Sequence, residues 1–339
     1  MATARRTGND TLMEEGLRYC DTLSAQQTAI TTNSRTAGGF WGVGYDAHGE
    51  PLIGEAGQVY LADTGSALQA LTLCYQHQRQ GASSHHRRLV YLAVLEKFVR
   101  FVVEGCRHAP PKHNVTWPGT RSFLTANGSD RGAIGCGYCL GHISTKPYVI
   151  ATLTTGMAFF CELSLTAAES PYFAGLAARY CNWASDWLTR QVQPDGSIPY
   201  RMDGRVMGEY HGTERESLRL TTLSYTAEAV LESDFTIRNH SVSMQLRKKL
   251  QNAVGWLLSS QSPYGTWGGD IRQEQRSPRV LTLLQWYYLR VDASPAIQAA
   301  IVRHVEFALD HTEHYGIRNL LRTTGFSGLA FSECHSSIN

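Results

Sequence analysis

Long apolar runs are missing from this sequence. No window approaches the roughly 18 uninterrupted apolar residues that a membrane-spanning helix needs. The N-terminal Met-Ala-Thr-Ala-Arg-Arg turns polar without the apolar core of a secretory signal, although a short Arg-containing targeting peptide is compatible with it. The sequence therefore predicts a soluble, cytoplasmic chain without a membrane partner.

A strong excess of one charge sign is also missing. The 31 Lys and Arg side chains nearly balance the 29 Asp and Glu side chains, which leaves a formal net charge of +2. The densest basic stretch, Arg247 to Lys249, is typical of a solvated helix face. Because electrostatic binding to nucleic acid needs a strongly basic surface, no nucleic-acid partner is predicted.

The cysteines do not form a compact framework. Eight of them are spread over 339 residues. Without a secretory signal, they are predicted to be reduced thiols. On this interpretation the Asn-x-Ser/Thr sequences at Asn114, Asn127 and Asn239 carry no glycan.

Two kinds of helical segment alternate along the chain. The first kind is amphipathic and often opens with Ser-Pro, as at Ser170-Pro171 and Ser294-Pro295, because Ser caps a helix and Pro suits its first position. The second kind is shorter, apolar on most sides and preceded by a Gly-rich loop, which is typical of buried helices. Segments of the first kind are predicted at 11–28, 86–106 and 241–261, and helices of the second kind begin near Leu61, Pro147, Glu216, Pro278 and, more weakly, Gly325.

This alternation is an internal repeat with irregular spacing. It predicts an all-α fold in which outer and inner helices close into an α/α toroid of about ten to twelve helices. Residues 1–339 are predicted to form a single domain, and 38–60 are predicted to form a hairpin or flap.

One stretch resembles a known motif. Trp256-Leu257, Gln261 and Gly265-Thr266-Trp267 resemble the QW repeat of terpenoid cyclases, and Trp187-Leu188 with Gln193 is a degenerate copy. Looser versions are common in α/α-toroid, or six-hairpin-like, enzymes, including lyases and hydrolases of acidic sugars. The resemblance implies that Gln261 caps an outer helix and that Trp267 packs on the turn after it. We expect Trp256 on the buried face of that helix.

The Gly-rich loops carry the candidate site residues. If the inner helices are parallel, their N-termini gather at one mouth, where partial positive charge and free N–H groups suit an anion. The predicted catalytic residues are His211, Tyr210, Asp63 and Glu214, and the predicted substrate-binding residues are Arg276, Arg279, Arg215, Trp267, Asp270 and Tyr148. Structural alternatives remain for several: Asp63 as an N-cap, Trp267 as a packing residue, and ion pairs for the arginines.

The sequence Cys136-x-x-Cys139-x-x-His142 offers the ligand types that zinc prefers. Zinc-dependent toroids such as lanthionine cyclases and protein prenyltransferases use Cys and His, but their ligand arrangement is missing: Cys334-His335 lies at the end of the sequence and is not followed by Gly. No cofactor is predicted, and zinc at Cys136, Cys139 and His142 is the alternative.

Three functions remain open. The first is an enzyme that acts on an acidic carbohydrate, by elimination or by hydrolysis, through acid/base catalysis. The second is a terpenoid-cyclase-like enzyme with an aromatic cavity, although Asp63 stands where those enzymes carry an aspartate cluster. The third is a non-catalytic toroid that binds a ligand or partner.

Overall fold

Helices dominate the computed structural model of the chain. It describes residues 8–27, 38–40, 44–45, 51–52, 59–80, 85–105, 122–139, 142–166, 170–191, 240–267 and 277–310. Helices hold 76% of these residues, so the prediction of a mostly helical chain is confirmed. None of the helices in the described ranges is both long and apolar enough to cross a membrane.

The chain forms two compact units, Met1–Leu188 and Thr189–Asn339. Helices of the first unit are α1 (Asp10–Ala25), α2 (Leu61–Gln80), α3 (His85–Glu104), a continuous helix made of α4 (Val149–Ala151), π1 (Thr152–Phe159) and α5 (Phe160–Thr166), and α6 (Pro171–Gln191), whose last turn enters the second unit. The described helices of the second unit are α7 (His240–Ser260), α8 (Ser277–Arg290) and α9 (Pro295–Asp310).

The predicted helix starts agree closely with the observed ones. Pro171 and Pro295 are the first residues of α6 and α9, as the Ser-Pro pairs predict. The inner helices α2 and α8 begin at Leu61 and Ser277. The second inner helix along the chain begins at Val149, two residues after the predicted Pro147, because Pro147 still belongs to a strand. The helices predicted at Glu216 and Gly325 lie outside the described residues.

Short strands interrupt the helical pattern. β1 (Gly44–Tyr45) pairs antiparallel with β2 (Pro51–Leu52), within the stretch 38–60 for which a hairpin or flap is predicted. β3 (Val59–Tyr60), β4 (Gly135–Cys139) and β5 (His142–Pro147) form a second, three-stranded antiparallel sheet in the order β3-β4-β5. The Gly-rich stretch before the second inner helix, predicted as a loop, is instead a hairpin, so the described residues add a small sheet to a mostly helical chain.

The core of the first unit lies around the inner helices. All eight residues of π1 are buried, as are most of the apolar residues of α2. Thr155 Oγ1 donates a hydrogen bond of 2.7 Å to the carbonyl oxygen of Leu61 in the first turn of α2. Gly65 permits this close approach, because an added Cβ would meet Thr155. The outer helix α3 is amphipathic by contrast, with Lys97 exposed and Phe98 fully buried.

Two buried disulfides tie outer helices to inner ones. Cys20 of α1 bonds to Cys74 of α2, and Cys161 of α5 bonds to Cys181 of α6. The prediction of eight reduced thiols is therefore wrong at these four positions. The cytoplasmic placement predicted from the missing secretory signal gains no support from these disulfides, because disulfides are rare in the reducing cytosol.

A polar network also joins α1 to α3. The Arg87 guanidinium binds both carboxylate oxygens of Glu14, at 3.1 and 2.7 Å, and its Nε donates to Asp21. The Tyr91 hydroxyl donates to Asp21 at 2.6 Å. The hydrogen bond from Arg87 lowers the pKa of Glu14, and burial raises the pKa of the Tyr91 hydroxyl. Arg87 therefore fixes the crossing of these two helices through a forked contact.

Among the described residues, each unit contains a contact in which a Gln amide donates to a Gly carbonyl oxygen and to a carbonyl oxygen of the next outer helix; we name it the Gln–Gly contact. In the first unit Gln27, just after α1, donates through Nε2 to the carbonyl oxygens of Gly38 and of Val94 in α3, both at 2.9 Å. In the second unit Gln261, just after α7, donates to the carbonyl oxygens of Gly265 at 3.0 Å and of Ala300 in α9 at 2.8 Å. In each unit one amide thus joins the end of one outer helix to the next outer helix.

Both glycines of this contact have a left-handed backbone. Gly38 has φ +86° and Gly265 has φ +93°. A Cβ on Gly38 would lie 2.7 Å from the carbonyl oxygen of Lys97, and a Cβ on Gly265 would collide with the carbonyl of Arg303. Glycine is required at both positions by conformation and by space.

The aromatic residues around the two contacts correspond as well. Val94, Lys97, Phe98 and Phe101 of α3 match Ala300, Arg303, His304 and Phe307 of α9 with a constant offset. Phe40 packs on Phe98 in the first unit, with ring centroids 6.3 Å apart, and Trp267 packs on His304 in the second, at 5.5 Å. The internal repeat predicted from helix alternation therefore extends to matching side-chain contacts.

The two tryptophans of the QW-like stretch differ in burial. Trp267 is 1% exposed, and its Nε1 donates a 2.8 Å hydrogen bond to the carbonyl oxygen of Leu257 in the last turn of α7. Trp256 is only half-buried. The expectation that Trp256 lies on the buried face is wrong, and the predicted packing of Trp267 on the turn is confirmed. Trp267 and the Ser260 hydroxyl both donate to the Leu257 carbonyl oxygen, one of the last four carbonyls of the helix, whereas the Gln261 amide makes the Gln–Gly contact.

Candidate functional site at the start of two inner helices

The sheet β3-β4-β5 places the beginnings of two inner helices at one edge. β3 and β5 both pair antiparallel with β4, so they run parallel to each other. β3 ends at Tyr60 and α2 begins at the next residue, whereas β5 ends at Pro147 and α4 begins two residues later. Two helix N-termini, with their partial positive charge, therefore meet the same edge of the sheet.

Three described residues with functional side chains lie at this edge. Tyr60 and Tyr148 are half-buried, and Lys146 is exposed. The backbone around them is well held, since the Tyr148 N–H donates to the carbonyl oxygen of Ile134 at 2.9 Å. Tyr148 has an extended backbone as the N-cap of α4 and provides no side-chain cap. Phenol and ammonium groups beside two helix N-termini provide hydrogen-bond donors for an anion.

Asp63 is the third residue of α2. The structural alternative that Asp63 is an N-cap is wrong, because the helix begins two residues earlier, at Leu61. Arg279 is likewise the third residue of α8, in the first turn where the sequence predicts it.

Of the predicted substrate-binding residues, Trp267 and Tyr148 have described side chains. Tyr148 lies at the sheet edge, as stated above. Trp267 is enclosed in the second unit and bonded to α7, so its contacts are those of a packing residue. The remaining predicted residues in loops lie outside the described residues: His211, Tyr210, Glu214, Arg215, Asp270 and Arg276.

The candidate zinc residues lie on the β4–β5 hairpin. The backbones of Cys139 and His142 are paired in register at its end, whereas Cys136 lies at an irregularity near its base and is half-buried. Over the described residues, no group of three or more His, Cys, Asp or Glu side chains is close enough to hold a metal ion.

A buried histidine that the sequence analysis did not single out belongs to the second Gln–Gly contact. His304 Nδ1 lies 3.0 Å from the carbonyl oxygen of Gly265, and the ring is 1% exposed. Since a carbonyl oxygen only accepts, Nδ1 carries the proton of the neutral ring. Burial lowers the pKa of His304 to about 4, while the bond to Gly265 opposes that shift. The sequence feature that could have identified His304 is its correspondence to Phe98 of the first unit, which is a core position.

Stability is expected to fall in mild acid because of His304. The unfolded chain takes up a proton near the ordinary histidine pKa of about 6.5, whereas the folded chain resists it down to about 4. Between about pH 7 and pH 5 this difference removes about 2 kcal/mol from the free energy of unfolding. Urea unfolding at both pH values measures it.

The matched control for this prediction is His304→Phe, which copies the first unit. Its loss over the same pH interval should be smaller than that of the wild type by about 2 kcal/mol. Equal losses in both proteins would show that His304 titrates normally when folded.

The chain matches no protein-family model, no curated protein and no solved structure. The likeness to the QW repeat therefore rests on the residues of the motif and on the contacts that they make.

Proposed function

We propose that the outer and inner helices close into an α/α toroid of about ten to twelve helices, and that the chain is an enzyme acting on an anionic small molecule, specifically a uronate-type sugar. The observation that carries the proposal is the parallel arrangement of β3 and β5, which brings the N-termini of α2 and α4 to one edge. The free N–H groups and partial positive charge of helix N-termini favour a carboxylate there.

The residue types that the sequence places in its predicted Gly-rich loops suit elimination from a uronate. Arg276 and Arg279 are proposed to bind the carboxylate, since a guanidinium presents a bidentate fork. His211 or Tyr210 is proposed to take the proton from the carbon next to the carboxylate. The released electron pair forms a carbon–carbon double bond, the glycosidic C–O bond breaks, and an acid protonates the leaving oxygen. Asp63 or Glu214 would supply the acid for this step, or for hydrolysis.

The test is turnover of uronate-containing oligosaccharides by the full chain. Elimination creates an unsaturated uronate that absorbs in the ultraviolet, and hydrolysis creates a new reducing end without that absorbance. We expect His211→Ala to abolish turnover and leave the melting temperature nearly unchanged, because a loop residue contributes little packing. His86→Ala, at an exposed position of α3, is the matched control and should retain activity.

A second comparison tests how the chain recognises the carboxylate of the substrate. Arg276→Lys should raise KM because Lys keeps the charge but loses the fork. Arg179→Lys on the exposed face of α6 is its control. If no uronate binds or reacts, the proposal fails. Conversion of an isoprenoid diphosphate would then support the cyclase-like alternative, and binding without turnover of any substrate would support a non-catalytic toroid.

A further inference from the structure

The sequence contains one Asn-Gly pair, Asn127-Gly128. It lies at the tip of a turn that the backbone holds firmly on both sides. Thr125 N donates to the carbonyl oxygen of Ala133 at 2.9 Å, and Gly132 N donates to that of Thr125 at 2.8 Å. Asn127 and Gly128 are both exposed at the tip.

Deamidation chemistry needs a side-chain carboxamide and the backbone N–H of the next residue, neither of them held by a hydrogen bond. Within the described part of the chain, neither the Asn127 carboxamide nor the Gly128 N–H has a hydrogen-bond partner. Gly128 has φ +76°, and no atom lies within 4 Å of where a Cβ would be. The space beside Gly128 is therefore uncrowded, and its backbone N–H is not held by another described group.

We propose that Asn127 is a site of spontaneous deamidation. The Gly128 nitrogen loses its proton to water and attacks Cγ of Asn127. A new C–N bond closes a five-membered succinimide, the Cγ–Nδ2 bond breaks, and Nδ2 leaves as ammonia. Water then opens the ring at either carbonyl, which gives aspartate or isoaspartate. No oxidant or reductant is needed.

Other described asparagines lack this combination. Asn9 is also exposed, but its Oδ1 accepts a 3.0 Å hydrogen bond from Leu12 N as the N-cap of α1. Asn182 is exposed on α6, where the N–H of the next residue belongs to the helical hydrogen-bond pattern. These residues are internal references for the rate at Asn127.

Modification would change both charge and chain length at the turn. Each product adds a carboxylate next to Asp130, which accepts a hydrogen bond from Trp187 Nε1 at 3.1 Å. Isoaspartate also inserts a methylene group into the main chain, close to Gly132, which packs on the backbone of α6 at Trp183. Asn127→Asp reproduces the charge without the extra methylene group and separates the two effects.

The experiment incubates the full chain at neutral pH in ¹⁸O-labelled water and follows tryptic peptides by mass spectrometry. Asn127 should convert at least about tenfold faster than Asn9 or Asn182, a barrier difference of about 1.4 kcal/mol. The rate should rise with pH, since the attacking nitrogen must lose a proton, and an isoaspartate methyltransferase should label the product. Asn127→Gln should abolish the fast conversion, because its longer side chain closes a less favourable ring.

Two results would overturn the proposal. One is an Asn127 peptide that changes no faster than the peptides of Asn9 and Asn182. The other is a covalent substituent on Nδ2 in the chain isolated from its source, such as an N-glycan at the Asn127-Gly128-Ser129 sequence, since it would block the departure of ammonia.

Discussion

Replacing Trp267 with alanine is expected to lower the free energy of unfolding by about 3–5 kcal/mol. The side chain is 1% exposed, packs on the His304 ring and donates to the carbonyl oxygen of Leu257. Truncation leaves a cavity and removes a hydrogen bond to the Leu257 carbonyl oxygen, which also accepts one from the Ser260 hydroxyl, and both effects destabilise the folded state. Denaturant unfolding followed by circular dichroism measures the loss.

Trp256→Ala is the matched control, because Trp256 precedes the buried Leu257 and is itself only half-buried. Its cost should be clearly smaller. Trp267→Phe retains most of the ring and removes the indole N–H, so it should lie between the two. An equal loss for both alanine variants would contradict the assigned burial.

Removing the Cys20–Cys74 disulfide is expected to cost about 4 kcal/mol, because the bond closes a loop across 54 residues and restricts the unfolded chain. Cys20→Ala combined with Cys74→Ala tests this without placing a polar group in the core. The Cys161–Cys181 bond closes a shorter loop, across 20 residues, and should contribute about 3 kcal/mol. Thermal unfolding with and without reductant gives the combined effect.

Cys136→Ala is the control, since Cys136 belongs to neither of these two disulfides. Thiol titration of the denatured, unreduced protein gives an independent check. Of the eight cysteines, four are in the two disulfides, so at most four should react before reduction and eight after it. More than four reactive groups in the unreduced protein would contradict one or both bonds.

The helices could be predicted from the sequence because their start signals are local. Ser170-Pro171 and Ser294-Pro295 act through a side chain and a fixed φ within one turn. The hairpin β4–β5 could not be predicted in the same way. Gly135–Cys139 has two glycines and no β-branched residue, so its pairing is decided by its neighbours β3 and β5.

Burial within α7 could have been predicted more accurately. Leu250, Ala253, Val254 and Leu257 are buried and follow the spacing of one helix face, and Trp256 lies outside that spacing. The motif resemblance drew attention to Trp256, but helical periodicity favours Leu257. The disulfides are different, since spacing along the sequence does not reveal that Cys20 and Cys74 meet.

From the sequence, only the residue types of the candidate site could be predicted, and their arrangement could not. The sequence indicated that an inner helix begins near Pro278, which places Arg279 in the first turn, as the backbone confirms. The sequence favoured a loop or an N-cap position for Asp63, which lies inside α2 instead. It gave no sign that β3 and β5 lie parallel, because that depends on pairing between residues far apart in the chain.

The two Gln–Gly contacts differ in the length of chain that they close. Gln27 binds a glycine 11 positions later, and Gln261 binds one 4 positions later. Their partners on the next outer helix, Val94 and Ala300, are corresponding residues. Because the cost of closing a loop grows only with the logarithm of its length, the longer connection costs less than about 1 kcal/mol more. Natural or engineered insertions, including whole inserted domains, are thus best accommodated between that glutamine and that glycine.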